Sequence, residues 1–257
     1  MNKFRRLQLI EARIASHSEV VIPDLAQELG VSEMTIRRDL NELDQHGLLV
    51  RVRGGAVRPT SRSFEPGRLD RAGSEPGAKR AIGRAAAALL EHGDSAIVDV
   101  GTTTVELARA LRGREGLTIV TPSLPVAFEL GEERGIRVLI TGGTLRPGEL
   151  SLVGARAEDA FADLNCDIAF IGAAGLTAEE GLSEYSLDDT RVKQAAIRKV
   201  RRVAVLADHS KLGRVALAVI CPLHDIDILV TDADPSHPVC VAAAEAGVEV
   251  IHVSEDQ

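Results

Sequence analysis

Four short polar segments of this 257-residue sequence carry groups suited to holding an anion. The first, Asp99-Val100-Gly101-Thr102-Thr103-Thr104, places a glycine and then hydroxyls at a helix start, where main-chain N–H groups and hydroxyls can donate to a phosphate. The second is Thr121-Pro122-Ser123. The third, Gly172-Ala173-Ala174-Gly175, is built of small residues that let a ligand come close to the backbone. The fourth, Asp208-His209-Ser210-Lys211-Leu212-Gly213, adds a compact ammonium. Gly142-Gly143 offers a further wall. Each alone is an ordinary turn after a strand. Together, hydroxyls, glycines and a lysine suit a phosphate joined to a polyol.

A second group could do acid–base work. Glu184 and Asp188 with Lys193 are the kind of set that moves a proton on a sugar phosphate. The competing reading makes Asp188 and Asp189 stabilisers of a helix N-terminus and Lys193 a pocket or surface cation. That second reading is preferred, and no catalytic residue is assigned, because the N-terminal part of the chain suits a sensor better than an enzyme. His17, His92, His224, His237 and His252 lack metal-ligand spacing. Cys166, Cys221 and Cys240 are odd in number and far apart, which excludes a disulfide framework and predicts apolar, reduced thiols. Neither a metal nor a cofactor is expected.

The third group lies near the N-terminus. Ser32, Glu33, Thr35, Arg37 and Arg38 occupy the first two turns of a predicted helix, EMTIRRDLNELDQHG, which Ser32 caps. Met34, Ile36, Leu40 and Leu43 are expected to face inward, and His46 to lie at the surface. Ser32, Thr35 and Arg38 share the outer face, where Arg38 could read guanine or hold a phosphate. Arg51 and Arg53, beside Gly54-Gly55, suit phosphate or minor-groove contact, whereas Val52 is expected to pack.

These residues imply the elements that must position them. Residues 3–16 carry Phe4, Leu7, Ile10, Ala12 and Ile14 at roughly helical spacing. A β-prone stretch at 19–22 follows, then a helix opened by Pro23 and closed by Gly30. The third helix stops at Gly47, and residues 48–58 read as a hairpin. Helix, short strand, helix, tight turn, helix, hairpin is the order of a winged helix-turn-helix. Residues 59–77, rich in Pro, Gly, Ser and Arg, read as a linker. From 78 onward short apolar strands at 95–100, 117–121, 136–142, 167–172, 202–208, 226–232 and 248–253 alternate with helices, the first ending at Gly93. A hairpin-like segment at 142–154 and a helix at 155–164 interrupt the series. The fold class is therefore α/β: a winged head, residues 1–58, the linker, and a parallel-sheet domain, residues 78–257. In such a sheet a ligand sits at the strand C-termini, where the four anion-suited segments fall.

Composition agrees. The apolar fraction is 45% with only 2% aromatics, so the core is aliphatic and a stacking platform for single-stranded nucleic acid is excluded. The net charge of −8 is uneven: residues 1–81 hold 14 Lys/Arg against 11 Asp/Glu, and residues 82–257 hold 16 against 27. The positive end is where a DNA-binding head would sit. The N-terminal helix is amphipathic rather than a signal peptide, and no apolar run suits a membrane span, so a soluble cytoplasmic protein is expected.

The segment VVIPDLAQELGVSEMTIRRDLNELDQHGLLVRVRGGAV resembles the N-terminal region of the DeoR family of bacterial regulators, above all in TIRRDL and RVRGGA, and the likeness runs over nearly the whole chain. It implies a sensor domain sharing its fold with ribose-5-phosphate isomerase, glucosamine-6-phosphate deaminase and CoA transferases. It also implies double-stranded operator DNA and a phosphorylated sugar as partners, a homo-oligomer (dimer or tetramer), and repression relieved by the effector. By that match the Asp99–Thr104 loop, Thr121, Ser123, Gly142 and Lys211 line the pocket, joined on their own residue types by Gly172, Gly175 and Lys193. Pro122 and Ala174 depart from the family pattern, where a polar residue and an Asn are usual.

Overall fold

Ile10, Ile14, Val20, Ile22, Leu25, Ile36, Leu40, Leu43, Leu49 and Ala56 bury together and define a small N-terminal core. The elements that carry them, in a computed structural model describing residues 2–17, 19–45, 48–57, 62 and 65–254 (main chain only at 15, 45 and 50), are α1 (Lys3–His17), β1 (Glu19–Val21), α2 (Ile22–Leu29), α3 (Glu33–Gln45), β2 (Val50–Val52) and β3 (Gly55–Val57). Gly30 closes α2 in the left-handed region, at φ 64°, and the Ser32 hydroxyl caps α3 by accepting from Thr35 N at 3.2 Å. Strand β3 is central, with Val20 and Arg51 flanking Ala56 on its two sides. Only glycine fits at 55, since a Cβ there would stand 2.0 Å from the Val20 carbonyl oxygen. The helix stop at Gly47, the surface position His46 and the hairpin end at Arg58 lie outside the described residues.

One expectation about α3 is corrected. Met34 is 60% exposed rather than buried, and Asp39 is buried in its place. The Asp39 carboxylate accepts two hydrogen bonds from Arg6 of α1, from Nε at 2.5 Å and Nη2 at 3.0 Å. The same pairing draws Arg6 inward while Phe4 and Ala12 stay exposed, so α1 docks through a buried ion pair as well as its aliphatic stripe. Val52, expected to pack, is exposed.

The chain divides into two compact units, residues 1–70 and 71–257. Within the segment read as a linker the structure shows α4 (Arg68–Gly73) and the start of α5 (Pro76–Ala87), which ends well before Gly93. The second unit continues with β4 (Ser95–Val98), α6 (Thr102–Ala110), β5 (Leu117–Thr121), α7 (Leu124–Leu130) and β6 (Ile136–Ile140). Then come β7 (Thr144–Arg146), β8 (Ser151–Val153), α8 (Ala155–Asp159), β9 (Cys166–Gly172), β10 (Gly175–Thr177) and β11 (Gly181–Glu184). It closes with α9 (Leu187–Ile197), β12 (Val200–Leu206), β13 (Ala218–Cys221), β14 (Ile228–Thr231), α10 (Pro238–Glu245) and β15 (Glu249–His252).

Seven strands form one sheet in the order β15-β14-β12-β9-β4-β5-β6, every pair parallel. Alternate residues sort to opposite faces. Ile168 and Phe170 of β9 join Ile82, Leu107 and Val126 from α5, α6 and α7. Ala169 and Ile171 join Phe161, Val192 and Ala243 from the other side. Burial on both faces is why these strands read as unbroken apolar runs. The expected hairpin at 142–154 is β7–β8. A three-stranded antiparallel sheet, β10-β11-β13, was not foreseen, and the helix expected over 155–164 stops at Asp159. No helix among the described residues is long and apolar enough to cross a membrane.

Replacing Asp39 by Ala strands Arg6 in the core and is expected to cost the N-terminal unit about 3–5 kcal/mol. Hydrogen exchange on the full-length protein should then show α1 and α3 losing protection while β9 and β12 keep theirs. Unchanged protection in α1 and α3 would refute the structural role given to the pair.

Candidate functional site

Two sets of groups, one in each unit, are available for binding. In the first, α3 carries Ser32, Glu33, Thr35, Arg37 and Arg38 on its opening turns. Glu33 and Arg37 pair at 3.3 Å along the helix, and the Ser32 and Thr35 hydroxyls share a hydrogen bond of 2.9 Å. Arg38 is exposed and has no hydrogen bond or ion pair among the described residues. The wing turns at Gly54, φ 90°, whose carbonyl accepts from Ile22 N at 2.9 Å and fixes the turn against α2. The two wing arginines differ. Arg51 is folded back, its Nη1 donating to Asn41 Oδ1 and its amide to Asp44, so it fastens β2 to α3. Arg53 is exposed and unpaired among the described residues. In the same unit, a cleft of about 270 Å³ is lined by Glu19, Asp24 and Glu28 with Arg13 and His17. Its acidic rim is unsuited to a polyanion.

In the second unit all seven strands run the same way, so the segments after β4, β5, β6, β9 and β12 share one edge. The sequence-predicted residues there fall into three groups. Some hold the edge together. Lys193 of α9 is 1% exposed and donates to Asp99 Oδ2, to Glu184 Oε2 at 3.0 Å and to the Gly172 carbonyl at 3.0 Å. Asp99 Oδ2 also accepts from Gly172 N at 3.0 Å. Burial alone would lower the lysine pKa, but Asp99 and Glu184 outweigh it and raise it. Two carboxylates around one ammonium leave a surplus negative charge, and burial accordingly pushes the Asp99 carboxyl up against the opposing pull of Lys193. Lys193 is thus neither a surface cation nor open to a ligand.

A second group has its hydroxyl protons or its backbone already committed. Thr104 donates to the Gly101 carbonyl at 2.9 Å and Thr121 to the Val98 carbonyl at 2.6 Å. Ser123 caps α7, accepting from Val126 N at 3.3 Å, and is 1% exposed. Gly175 is buried in β10, where a Cβ would stand 2.3 Å from the Arg214 carbonyl oxygen. Thr104 and Thr121 thus present no hydroxyl donor, and the buried Ser123 and Gly175 shape their loops.

The third group remains open. The N–H groups of Thr102, Thr103 and Thr104 at the start of α6 have no acceptor among the described residues, as the first turn of a helix requires, with Thr102 half-buried and Thr103 and Thr104 buried. Gly101 precedes them at φ 137°, a conformation closed to other residues. Gly142 is exposed after β6, at φ 74°. Lys211, in a short 3-10 turn at His209–Lys211, is partly exposed, and its ammonium has no hydrogen bond among the described residues. Burial lowers its pKa, opposed chiefly by Asp208.

Sequence reasoning missed the cations around Lys211. Arg71, Lys79 and Arg214 all lie within electrostatic range of this turn. Lys79 is 2% exposed, its ammonium donating to the carbonyls of Arg71 and Ser74 and to no carboxylate among the described residues. Burial pulls its pKa down to about 8. The signal was present, because Lys79 recurs with Ile82 and Ala86 on the buried stripe of α5. Arg71 pairs with buried Glu149, and Arg146 with buried Asp189 at 2.7 Å.

The sequence model described as the DeoR C terminal sensor domain matches residues 74–233, and that of the DeoR-like helix-turn-helix domain matches residues 6–62. The chain belongs to the DeoR family of transcriptional regulators. It is 34% identical over 253 residues to a putative aga operon transcriptional repressor of Escherichia coli O157:H7, covering 98% of this chain and 94% of that one. It is 33% identical to the transcriptional repressor GlcR of Bacillus subtilis, covering 100% and 99%. The glycerol-3-phosphate regulon repressor of Escherichia coli K12 is 33% identical, with 91% and 93% covered. Among solved structures, ribose 5-phosphate isomerase A of Methanocaldococcus jannaschii aligns with 54% of this chain and 55% of its own at TM-score 0.42 and 17% identity.

The lowered pKa of Lys79 has a measurable consequence. A lysine that holds its proton less tightly when folded penalises the folded state below about pH 8, and the penalty fades as pH rises toward its ordinary value of 10.5. The thermal midpoint of the wild-type second unit is therefore expected to rise relative to that of Lys79→Met as pH goes from 7 toward 10, read by scanning calorimetry. Parallel curves would show that Lys79 titrates normally.

Proposed function

We propose that this chain is a ligand-gated repressor of a carbohydrate operon. As an oligomer it binds double-stranded operator DNA through α3 and the β2–β3 wing, and a phosphorylated sugar in the second unit sets its affinity for that DNA. The observation that carries the proposal is the presence, in one chain, of two sets of cations that no carboxylate pairs with among the described residues. One is Arg38 and Arg53 on the recognition helix and wing; the other is Lys211 with Lys79 at the strand ends of a parallel sheet. Three relatives are named as repressors, one of them of a glycerol-3-phosphate regulon, which supports a phosphorylated effector.

Arg38 lies on the α3 face turned from the core and reaches base edges or phosphates, while Arg53 at the wing tip takes backbone phosphate. Arg51 acts indirectly by fixing β2 to α3. One short helix reads too few bases for specificity, so two or more heads engage repeated half-sites. In the second unit the free N–H groups of Thr102–Thr104 take a phosphate or hydroxyl, and Lys211 with Lys79 supplies positive charge. The effector shifts the equilibrium only by its differential affinity for the DNA-competent and DNA-incompetent states. The proton-transfer reading loses ground because Lys193 is enclosed by Asp99 and Glu184 rather than facing a cleft.

Fluorescence anisotropy with duplexes from the promoter nearest the gene, at fixed salt, tests both halves. Losing one charge-assisted contact should cost about tenfold or more in affinity. Arg38→Ala should lose that much for specific duplex while sugar phosphates still raise its thermal midpoint. Lys211→Ala should bind duplex as wild type but need about tenfold more sugar phosphate for the same midpoint shift. Retained operator binding by Arg38→Ala, or an unchanged ligand response in Lys211→Ala, would refute the corresponding half.

A further inference from the structure

The side chain at the centre of the outward face of α3 is not a polar one. Ile36, Asp39, Leu40 and Leu43 form the buried stripe of this helix. At about 100° per residue, Met34 points about 170° away from the mean direction of that stripe. It is 60% exposed, where residue type alone would bury it. Its neighbours on the helix surface are Arg37 and Arg38, three and four residues on. Arg37 is held by Glu33 and Asn41 by Arg51, which leaves Met34 and Arg38 as the uncommitted long side chains of this face among the described residues.

From this geometry we infer that Met34 reads thymine. The inference rests on the proposal that α3 enters the major groove. The residue opposite the buried stripe is then the one that reaches the groove floor. A thioether donates no hydrogen bond and accepts only weakly, so it cannot replace the water it strips from the polar edges of guanine, adenine or cytosine. The one apolar feature on the major-groove floor is the thymine C5-methyl. An unbranched, polarisable side chain suits contact with a methyl whose position varies with DNA shape. Met34 thereby adds an apolar base contact beside the charge-assisted contact of Arg38, and the pair would specify a thymine next to a guanine or a phosphate.

The test uses full-length protein. Duplexes enriched from a random library by wild-type protein are resynthesised with deoxyuridine, which lacks the methyl, in place of each thymidine in turn. Binding is measured by anisotropy at one salt concentration. At one position per half-site, wild type should lose about fourfold in affinity, the worth of one buried methyl. Met34→Ala and Met34→Gln should bind the two duplexes equally while melting as wild type does, since position 34 makes no core contact. The inference is overturned if wild type tolerates deoxyuridine at every position, or if Met34→Ala keeps the discrimination. A library that yields no enriched duplex at all would instead sink the DNA-binding reading, and this inference with it. A changed oligomeric state in Met34→Ala, seen by light scattering, would assign the side chain to a protein contact and also overturn the inference.

Discussion

A single buried ammonium ties together the edge of the sheet where a ligand would bind. Lys193 belongs to α9, yet its partners are the loop after β4, the end of β9 and the end of β11. Strands β4 and β9 flank the point where the chain reverses its direction of travel across the sheet, the usual place for a crevice in an open parallel sheet. Gly172 stands at that point, and Asp99 bridges it through both the lysine and the glycine amide. Taking away one partner would leave a charge without compensation inside the protein, which is far more costly than never having buried it. The loop carrying Gly101 and the open N–H groups of α6 is thus held from beneath by groups a ligand does not touch.

The N-terminal unit uses the same device on a smaller scale. Arg6 and Asp39 consume each other's charge in its core, and Arg51 is drawn onto Asn41 and Asp44. These contacts fix the angle between α1, α3 and the wing in a unit whose aliphatic core is small. What they leave over is informative. Arg38 and Arg53 gain nothing from the fold, and a long side chain kept mobile in water costs the folded state nothing either. Their free energy is therefore available to a partner.

Much of this was legible in the sequence, and the failures have physical causes. The helix-turn-helix order, the parallel strands and the turns at their ends follow from apolar period and glycine placement, because those signals are local. Met34 was placed on the wrong face because residue type was allowed to override spacing. Ile36, Leu40 and Leu43 already define a stripe that includes 39 and excludes 34. The β10-β11-β13 sheet was invisible because its strands are only three or four residues long and one of its two pairings, β11 with β13, joins distant parts of the chain. Which hydroxyls are free could not be read at all. Thr104 and Thr121 look identical in sequence to donors for a ligand, and only the fold shows their protons spent on Gly101 and Val98 carbonyls.

The division of cations into paired and unpaired also shows that an acidic net charge does not neutralise every basic group. Arg6, Arg71, Arg146 and Lys193 each have a buried carboxylate, so they add little to the field outside. Lys79 is different in kind. It is as deeply buried as Lys193 but bonds only to neutral carbonyls, and its depressed pKa measures how poorly those carbonyls replace water. A phosphate arriving beside Lys211 would lend Lys79 the negative charge it lacks and draw its proton affinity back up. The carbonyls bonded to that ammonium belong to Arg71 and Ser74, at the C-terminal end of α4, so Lys79 satisfies acceptors that the helix itself leaves open there.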